Sequence, residues 1–341
     1  MIFLSLKGTP YEVGYQHGKR LRDLIYYNIR FYCTAYDKKQ NDNYYLEKYS
    51  ERLENNFPKI AEELKGISDG SGFSFKNILL LNLGPLSTTC SNLVFNSEDG
   101  IILGHVNDQR GMTQNIVFYI SYKNDKEIIE ISSAGNIVMG AGVSSDGLAI
   151  SHSAAYSKGF TNTDAYLNFG LLRRIILCKA SNIREAKSII ESNPVKSAAD
   201  NIIIADSSGD SIVAEVLPDA VEFRYPENGK LYCTNRSLNS NIRKILDLDV
   251  FEKNDPGVNK LINREKYFES VFNDNEKFSV ELMKKALTCR DDEIKVCSEI
   301  SCWAAIMQPG KFQLLIADRF PEYRNFMIID REYESKYLAN Y

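Results

Sequence analysis

The chain has 341 residues, with 41 Lys and Arg against 45 Asp and Glu, which gives a formal net charge of −4. Hydrophobic residues make up 44% and charged residues 25%, close to the average of globular domains, which argues against disorder and coiled coil. No apolar run approaches the ~18–20 residues that a membrane span needs, and no block of Lys and Arg is present to follow a phosphate backbone. We therefore expect neither a membrane nor a nucleic acid as a partner.

The cysteines and histidines indicate a reducing compartment and no metal. The N-terminus lacks a basic segment followed by an apolar stretch, so no signal peptide is predicted. An odd number of cysteines in a long chain argues against a disulfide framework and favours a cytoplasmic location. No Cys-x-x-Cys occurs and the three histidines are widely spaced, so neither a metal nor a cofactor is expected. The seven cysteines are Cys33, Cys90, Cys178, Cys233, Cys289, Cys297 and Cys302.

The first 89 residues have a helical pattern. Thr9-Pro10-Tyr11-Glu12 is a capping box with proline at the first helical position, and an amphipathic stretch follows to about residue 37. A second helical region runs from Tyr44 through Leu64 and is expected to stop at the glycine-rich segment 66–72. A short apolar helix is predicted over 77–82. Gly14 and Gly18 lie four apart, which indicates either a simple loss of helix propensity or close helix packing.

After Pro85 the hydrophobic period becomes that of strands. Segments 91–95 and 101–106 flank a Ser97-Glu98-Asp99-Gly100 turn and predict a β-hairpin. Helical spacing returns near 166–192 and 259–287. Further strands are predicted at 115–122, 127–132, 148–153, 201–206, 211–216, 221–225, 231–234, 302–307 and 312–316. This order predicts one α+β unit over residues 1–341, in which helices cover two packed sheets.

Cys90 is the most informative cysteine because it lies where a loop enters the hairpin. Pairing Asn96 with Ile101 across the turn places Cys90 opposite residue 107, give or take one, so the second strand returns Asn107 or Asp108 to the start of the first. A thiol with a carboxylate beside it can serve nucleophilic catalysis. A cysteine is also often a small buried hydrophobic residue, and the spacing leaves both interpretations open.

Several motifs resemble the acyl-coenzyme A:6-aminopenicillanic acid acyltransferase family. They occur in the order of that family and cover essentially the whole chain. The resemblance implies an N-terminal-nucleophile (Ntn) hydrolase with a four-layer αββα sandwich. The motifs are Gly14-Tyr15-Gln16-His17-Gly18, the run EELKGISDGSGFSFKNILLLN at 62–82, Cys90-Ser91-Asn92, Asp108 at a strand end, residues 142–148 and Cys233-Thr234-Asn235.

The resemblance also implies a mechanism and its residues. The chain would cut itself between Thr89 and Cys90 into a segment 1–89, which stays as a partner, and a chain 90–341. Cys90 would be nucleophile and, through its freed amine, base. Asp108 would hold that amine, and Asn235 would help to stabilise the oxyanion. The substrate would be a small acyl amide or thioester, with no cofactor, and the family's tendency to assemble leaves a homo-oligomer open.

The sequence departs from the family pattern in three places. Thr89 stands where the family usually has glycine, and Val106 stands two residues before the aspartate, where a polar residue is common. No arginine corresponds to the one found late in some members, near 298–302, where Ser298 and Ser301 could line the wall instead. These departures keep open a processing-dead αββα binding module. His105 is expected on the opposite face from Asp108, whereas His152 is the base in a further alternative, an unprocessed Cys-His hydrolase.

Overall fold

A computed structural model gives the architecture of the chain. It describes residues 1–33, 43–83, 88–109, 114–155, 168–193, 195, 199–218, 220–253, 257–291, 293–319 and 326–339. Within these residues no helix is long and apolar enough to cross a membrane. The helices are α1 (Pro10–Arg20), α2 (Arg22–Asn28), α3 (Asn43–Asn56), α4 (Pro58–Ser71), α5 (Phe75–Leu83), α6 (Phe169–Lys179), α7 (Ile183–Ser192), α8 (Ser240–Leu246), α9 (Leu248–Lys253), α10 (Val258–Asn273), α11 (Val280–Leu287) and α12 (Arg331–Ala339).

The described strands form two sheets that are mostly antiparallel. An eight-stranded sheet has the order β1-β4-β5-β6-β7-β8-β9-β10, and a six-stranded sheet has the order β11-β2-β3-β12-β13-β14. The strands are β1 (Ile2–Gly8), β2 (Thr88–Ser97), β3 (Gly100–Gln109), β4 (Asn115–Tyr122), β5 (Glu127–Ser133), β6 (Ala141–Ser144), β7 (Leu148–Ala155), β8 (Ala199–Asp206), β9 (Ser211–Leu217), β10 (Ala220–Arg224), β11 (Lys230–Cys233), β12 (Ser301–Gln308), β13 (Gln313–Asp318) and β14 (Met327–Ile329).

Alternation along the strands divides their apolar side chains among three hydrophobic layers. In β4, Phe118 packs with helices α1–α7, whereas its neighbour Val117 packs between the sheets. In β3, Leu103 joins the layer between the sheets, and Ile102 packs beneath α10 and α11. A strand that is covered on both faces has apolar residues at nearly every position of its sequence. The predicted four-layer αββα sandwich is therefore confirmed.

The hairpin that carries Cys90 has the predicted register. Asn96 pairs with Ile101 across the turn, and Cys90 pairs with Asn107. The pairing is regular over the whole of β2 and β3, because a slip by one residue would turn the apolar side chains of both strands to the wrong faces.

The first eight residues are an exception to the predicted helical segment. Residues 2–8 form β1, which pairs in parallel with β4. Leu4 and Leu6 are buried in the helix-covered layer, and the residue between them, Ser5, donates a hydrogen bond to Glu334. This alternation has the period of a strand, and the pairing with β4 overrides the helical pattern that begins at Thr9.

The predicted helix over 44–64 is also corrected. It is broken at Phe57, because Pro58 has no N–H to donate and takes the first position of α4. The second helix then runs through the glycine-rich segment as far as Ser71, and Gly72 ends it with a φ of +72°.

Glycines at positions 14, 18, 66 and 70 bring the backbones of α1 and α4 into direct contact. A Cβ on Gly14 would lie 2.0 Å from the backbone oxygen of Glu63, and one on Gly66 would lie 2.2 Å from that of Tyr11. Of the two interpretations of Gly14 and Gly18, close packing is the one observed. It also explains why α4 tolerates two internal glycines, since any side chain there would push the helices apart.

We expect Gly14→Ala to lower the free energy of unfolding by at least about 1–3 kcal/mol, because the new methyl group meets backbone that cannot rotate away. Chemical denaturation measures this. Gly310→Ala is the matched control, since a Cβ there meets nothing within 4 Å. Equal stability of the two variants would contradict the close packing of α1 and α4.

Candidate active site

Cys90 is the third residue of β2 and is fully buried, directly after the exposed Thr89. Its Sγ lies 3.5 Å from Oδ1 of Asn107, its partner across the hairpin. Its carbonyl oxygen accepts a hydrogen bond of 3.1 Å from the Ser153 hydroxyl, on the other sheet. The thiol is therefore held between the two sheets near the start of β2, directly after an exposed residue.

Asn235 takes the place of a missing strand residue beside Cys90. The residue numbers paired between β2 and β11 add up to 325, and the last pair is Asn92 with Cys233. The numbers 90 and 235 also add up to 325. The chain has left the ladder at this point, and Oδ1 of Asn235 accepts the Cys90 backbone N–H at 3.0 Å, while its Nδ2 donates to the Ala154 carbonyl at 2.6 Å. The structure thus brings together Cys90 and Asn235, through the Oδ1 of Asn235, whereas the role implied by the family resemblance belongs to its side-chain N–H.

Asp108 pairs with Thr89, one residue from the position opposite Cys90, and is buried on the side of the sheet that α10 covers. Its Oδ2 accepts a hydrogen bond of 3.0 Å from Arg264, and its Oδ1 accepts one from the Ser301 hydroxyl. Burial raises the pKa of the Asp108 carboxyl above its ordinary value, although Arg264 and Ser301 both lower it.

Arg264 was missed by the sequence interpretation, which looked for an arginine only near 298–302. Its guanidinium reaches Asp108 from α10 and also lies 3.3 Å from the Ser91 hydroxyl. The available signal was its spacing, since it follows Leu261 and precedes Phe268 on a helix face that is otherwise apolar and buried. Ser301, which the sequence suggested for this wall, does contact Asp108.

His105 has a hydrogen-bonding partner inside the core. Nδ1 of its ring lies 2.6 Å from Oδ1 of Asn92, which also accepts from Ser151 at 2.7 Å. The amide of Asn92 donates to the His152 carbonyl, so its oxygen must face His105, and Nδ1 of His105 carries the proton. Burial holds the pKa of His105 well below 6.5, and the ring is neutral.

His152 is linked to a buried ion pair. Its Nδ1 lies 2.9 Å from Asp200, whose other carboxylate oxygen accepts from Arg173. Burial, and secondarily the charge of Arg173, lower the pKa of His152. The Arg173 guanidinium also donates to the Met139 carbonyl at 2.8 and 3.0 Å, which fixes this cluster beneath α6.

The described residues offer no evident metal centre. Among them, no group of three or more His, Cys, Asp and Glu side chains is arranged to hold an ion. The six cysteines whose side chains are described, all but Cys33, have free thiols. The groups that this site brings together are a thiol, a carboxylate, a carboxamide and backbone groups.

Comparison with known proteins shows which family the chain is similar to. The model of the family "Acyl-coenzyme A:6-aminopenicillanic acid acyl-transferase" matches residues 95–256. The chain is therefore similar to this family, as the sequence predicted, and its αββα sandwich is the fold that the family implies for an Ntn hydrolase.

Two curated relatives and one solved structure are similar to the chain. It is 25% identical over 138 residues to the beta-alanyl-dopamine/carcinine hydrolase of Drosophila melanogaster, a match that spans 34% of the chain and 35% of that protein. It is 22% identical to the 40 kDa form of the acyl-coenzyme A:6-aminopenicillanic-acid-acyltransferase of Emericella nidulans, over 70% of each. A Caenorhabditis elegans ortholog of N-acylethanolamine-hydrolyzing acid amidase superposes with a TM-score of 0.49 at 16% identity, over 65% of this chain and 93% of that one.

We expect Arg264→Met to destabilise the fold at neutral pH by about 3–5 kcal/mol, because it leaves the Asp108 carboxylate buried without its guanidinium. The pKa of Asp108 in the folded state rises further, so the folded state binds a proton more readily than the unfolded chain. Stability relative to wild type is therefore regained as the pH falls through that pKa and lost again as the pH rises.

Urea unfolding at a series of pH values measures this effect. Arg331→Met is the control, because Arg331 pairs at 2.7 Å with Glu127 but is mostly exposed. That variant should lose at most about 1 kcal/mol. A loss for Arg264→Met that is as small as this, or that grows towards acidic pH, would contradict the assignment.

Proposed function

We propose that this chain is a self-processing cysteine Ntn hydrolase that acts on a linear amide, by hydrolysis or by acyl transfer. The observation that carries the proposal is the setting of Cys90. A buried thiol lies near the start of an inner strand, directly after the exposed residue Thr89, and the Asn235 carboxamide accepts a hydrogen bond from its backbone nitrogen. The similarity to amide-acting proteins supports the same chemistry.

Self-processing would begin at the Thr89–Cys90 peptide bond. The Cys90 sulfur bonds to the Thr89 carbonyl carbon, and the C–N bond breaks as the nitrogen takes up a proton. Water then hydrolyses this thioester, which restores the thiol and leaves a carboxylate on Thr89. The products are the segments 1–89 and 90–341, and the new α-amine of Cys90 has a reference pKa of about 7.7–8.0, suited to a general base at neutral pH.

In turnover, the same sulfur would take the acyl group from an amide or thioester and pass it to water or to an amine. Cys90 would act as nucleophile and, through its amine, as base. An ionised Asp108 would hold the ammonium form of that amine. The side-chain N–H of Asn235, which donates to the Ala154 carbonyl in the uncut chain, would help to stabilise the oxyanion of the tetrahedral intermediate, while its Oδ1 holds the Cys90 nitrogen.

The segment 1–89 would remain bound as a partner after cleavage. It contributes β1 to the eight-stranded sheet through seven residue pairs with β4. The fully buried Arg174 bonds to Glu63 of this segment at 3.2 Å, and the Tyr122 hydroxyl donates to the same carboxylate at 2.6 Å. Separating the segment would take Glu63 away from Arg174, which would then keep only Glu130 of these two carboxylates.

Two alternative functions are each supported by one specific observation. Thr89 and Val106 depart from the family pattern, and a processing-dead αββα binding module would tolerate both residues. A buried imidazole beside Asp200, with a lowered pKa, is what an unprocessed hydrolase with His152 as base would use. The two alternatives and the proposal differ in whether the chain is cut and in which side chain the cut requires.

We expect purified wild-type protein to appear by intact mass as two chains of about 10 and 29 kDa, which is 38.8 kDa divided in proportion to 89 and 252 residues. Cys90→Ala should remain a single chain because it lacks the attacking sulfur. Cys289→Ala is the control and should be cut like the wild type. A wild-type chain that stays whole and whose Cys90 does not react with iodoacetamide would favour the binding module.

We expect Asn235→Ala to slow cleavage by about 10²–10³-fold, the usual cost of one oxyanion donor. Asp108→Asn should also slow cleavage, because its neutral side chain stabilises less well the positive charge that the Cys90 nitrogen gains as the C–N bond breaks, whereas His152→Ala should be cut at close to the wild-type rate. Rates come from the appearance of the 90–341 chain with time. A wild-type chain that stays whole, and whose Cys90 reacts with iodoacetamide only while His152 is present, would instead support the unprocessed Cys-His hydrolase.

A further inference from the structure

Helix α10 places two buried ions of opposite charge next to each other in the sequence. Arg264 and Glu265 are both buried although the helix lies on the outer face of the six-stranded sheet. Adjacent residues of a helix point about 100° apart, so the two side chains reach different parts of the protein. Arg264 goes to Asp108 and Ser91, at the start of the hairpin, and Glu265 goes to the turn that contains Asn235.

Glu265 binds both sequence neighbours of Asn235. Its Oε1 accepts a hydrogen bond of 2.6 Å from the Thr234 hydroxyl, and its Oε2 is paired with the Arg236 guanidinium. The Thr234 hydroxyl oxygen also lies 3.3 Å from the Arg236 backbone nitrogen. One carboxylate therefore binds the side chains on both sides of Asn235, while the Asn201 amide donates to the Thr234 and Arg236 carbonyls from the other sheet.

The position of this turn matters because the Asn235 side chain replaces a backbone partner. Asn235 lies in a segment that no longer pairs with β2, yet its Oδ1 is 3.0 Å from the Cys90 nitrogen. Because Asn235 lies beyond the end of β11, the position of its side chain depends on the position of the turn. Catalytic groups lose effect when they shift by about 1 Å, so the anchor of the turn affects the reaction.

We propose that Glu265 is a positioning residue, which fixes the Asn235 turn against the same helix that, through Arg264, fixes Asp108. Helix α10 thereby holds both sides of the Cys90 site in one rigid frame. The inference rests on the proposed function for its effect on rate, and on the geometry alone for the position of Asn235.

The rate of self-cleavage is the first test, since its substrate is the chain itself. We expect Glu265→Ala to cleave about 10–10²-fold more slowly than wild type, and Glu265→Gln, which keeps one acceptor for Thr234, to recover part of that loss. Glu265→Ala combined with Asn235→Ala should cleave no more slowly than Asn235→Ala alone, because a positioning residue has no effect once the group it positions is gone. Effects that multiply would overturn the proposal.

Glu269→Ala is the matched control. Glu269 lies one turn further along α10 and accepts a hydrogen bond of 2.8 Å from the Tyr232 hydroxyl on β11, at the surface. Its removal takes a carboxylate from the same helix and leaves the Asn235 turn intact, so cleavage should continue at the wild-type rate. An equal loss in Glu269→Ala and Glu265→Ala would show a general weakening of α10 and would overturn the proposal.

Crystal structures in the Cys90→Ala background separate this inference from the proposed function, because that chain stays whole. With Glu265→Ala added, Oδ1 of Asn235 should move beyond hydrogen-bond distance of the nitrogen at position 90; with Glu269→Ala it should stay near 3.0 Å. An unmoved Asn235 would overturn the inference whatever the activity. If the wild type is never cleaved, the proposed function fails, and the displacement of Asn235 still tests the positioning.

Discussion

A buried backbone N–H must find an acceptor, and at Cys90 the acceptor comes from outside the sheet. Strand β11 ends two residues too early to supply it, so the Asn235 carboxamide fills the place of a strand residue. The same substitution adds a carboxamide to the polar groups around Cys90, which include Asn107 and Ser153. The carboxamide is held in the place of a β11 backbone group. The Ala154 carbonyl accepts from its Nδ2, and Glu265 anchors the turn through Thr234.

Charges buried in the outer layers hold the architecture around this point. Arg264 and Glu265 connect α10 to the strand end and to the turn, while Arg174 connects the helical layer to the eight-stranded sheet through Glu63 and Glu130. An unpaired ion in such a place is costly, so each pair specifies one arrangement of the elements that carry its members. The apolar layers supply most of the burial, and the ion pairs select among the ways in which the layers could be stacked.

The sequence predicted the hairpin, its register and the pairing of Cys90 with Asn107, because these follow from local alternation and one turn. A family resemblance named Asn235 as a site residue, and its bond to the Cys90 nitrogen is seen only in the structure. The sequence missed β1, since pairing with β4 depends on a partner more than a hundred residues away. It also missed the short elements β6, β14, α8, α9 and α12, whose hydrophobic patterns are too short to recognise. Arg264 was missed because only the tertiary fold brings α10 to the strand end.

The parallel pairing of β1 with β4 crosses the position at which the chain would be cut. While the chain is whole, the two strands pair within one molecule, and the main cost of pairing them is the entropy of closing the loop between them. Once the bond before Cys90 is gone, the same meeting would be a second-order reaction between separate polypeptides. After unfolding, a mature enzyme of this kind would refold poorly at low concentration, because its two chains would first have to associate. The uncut chain forms the same strand pair within one molecule.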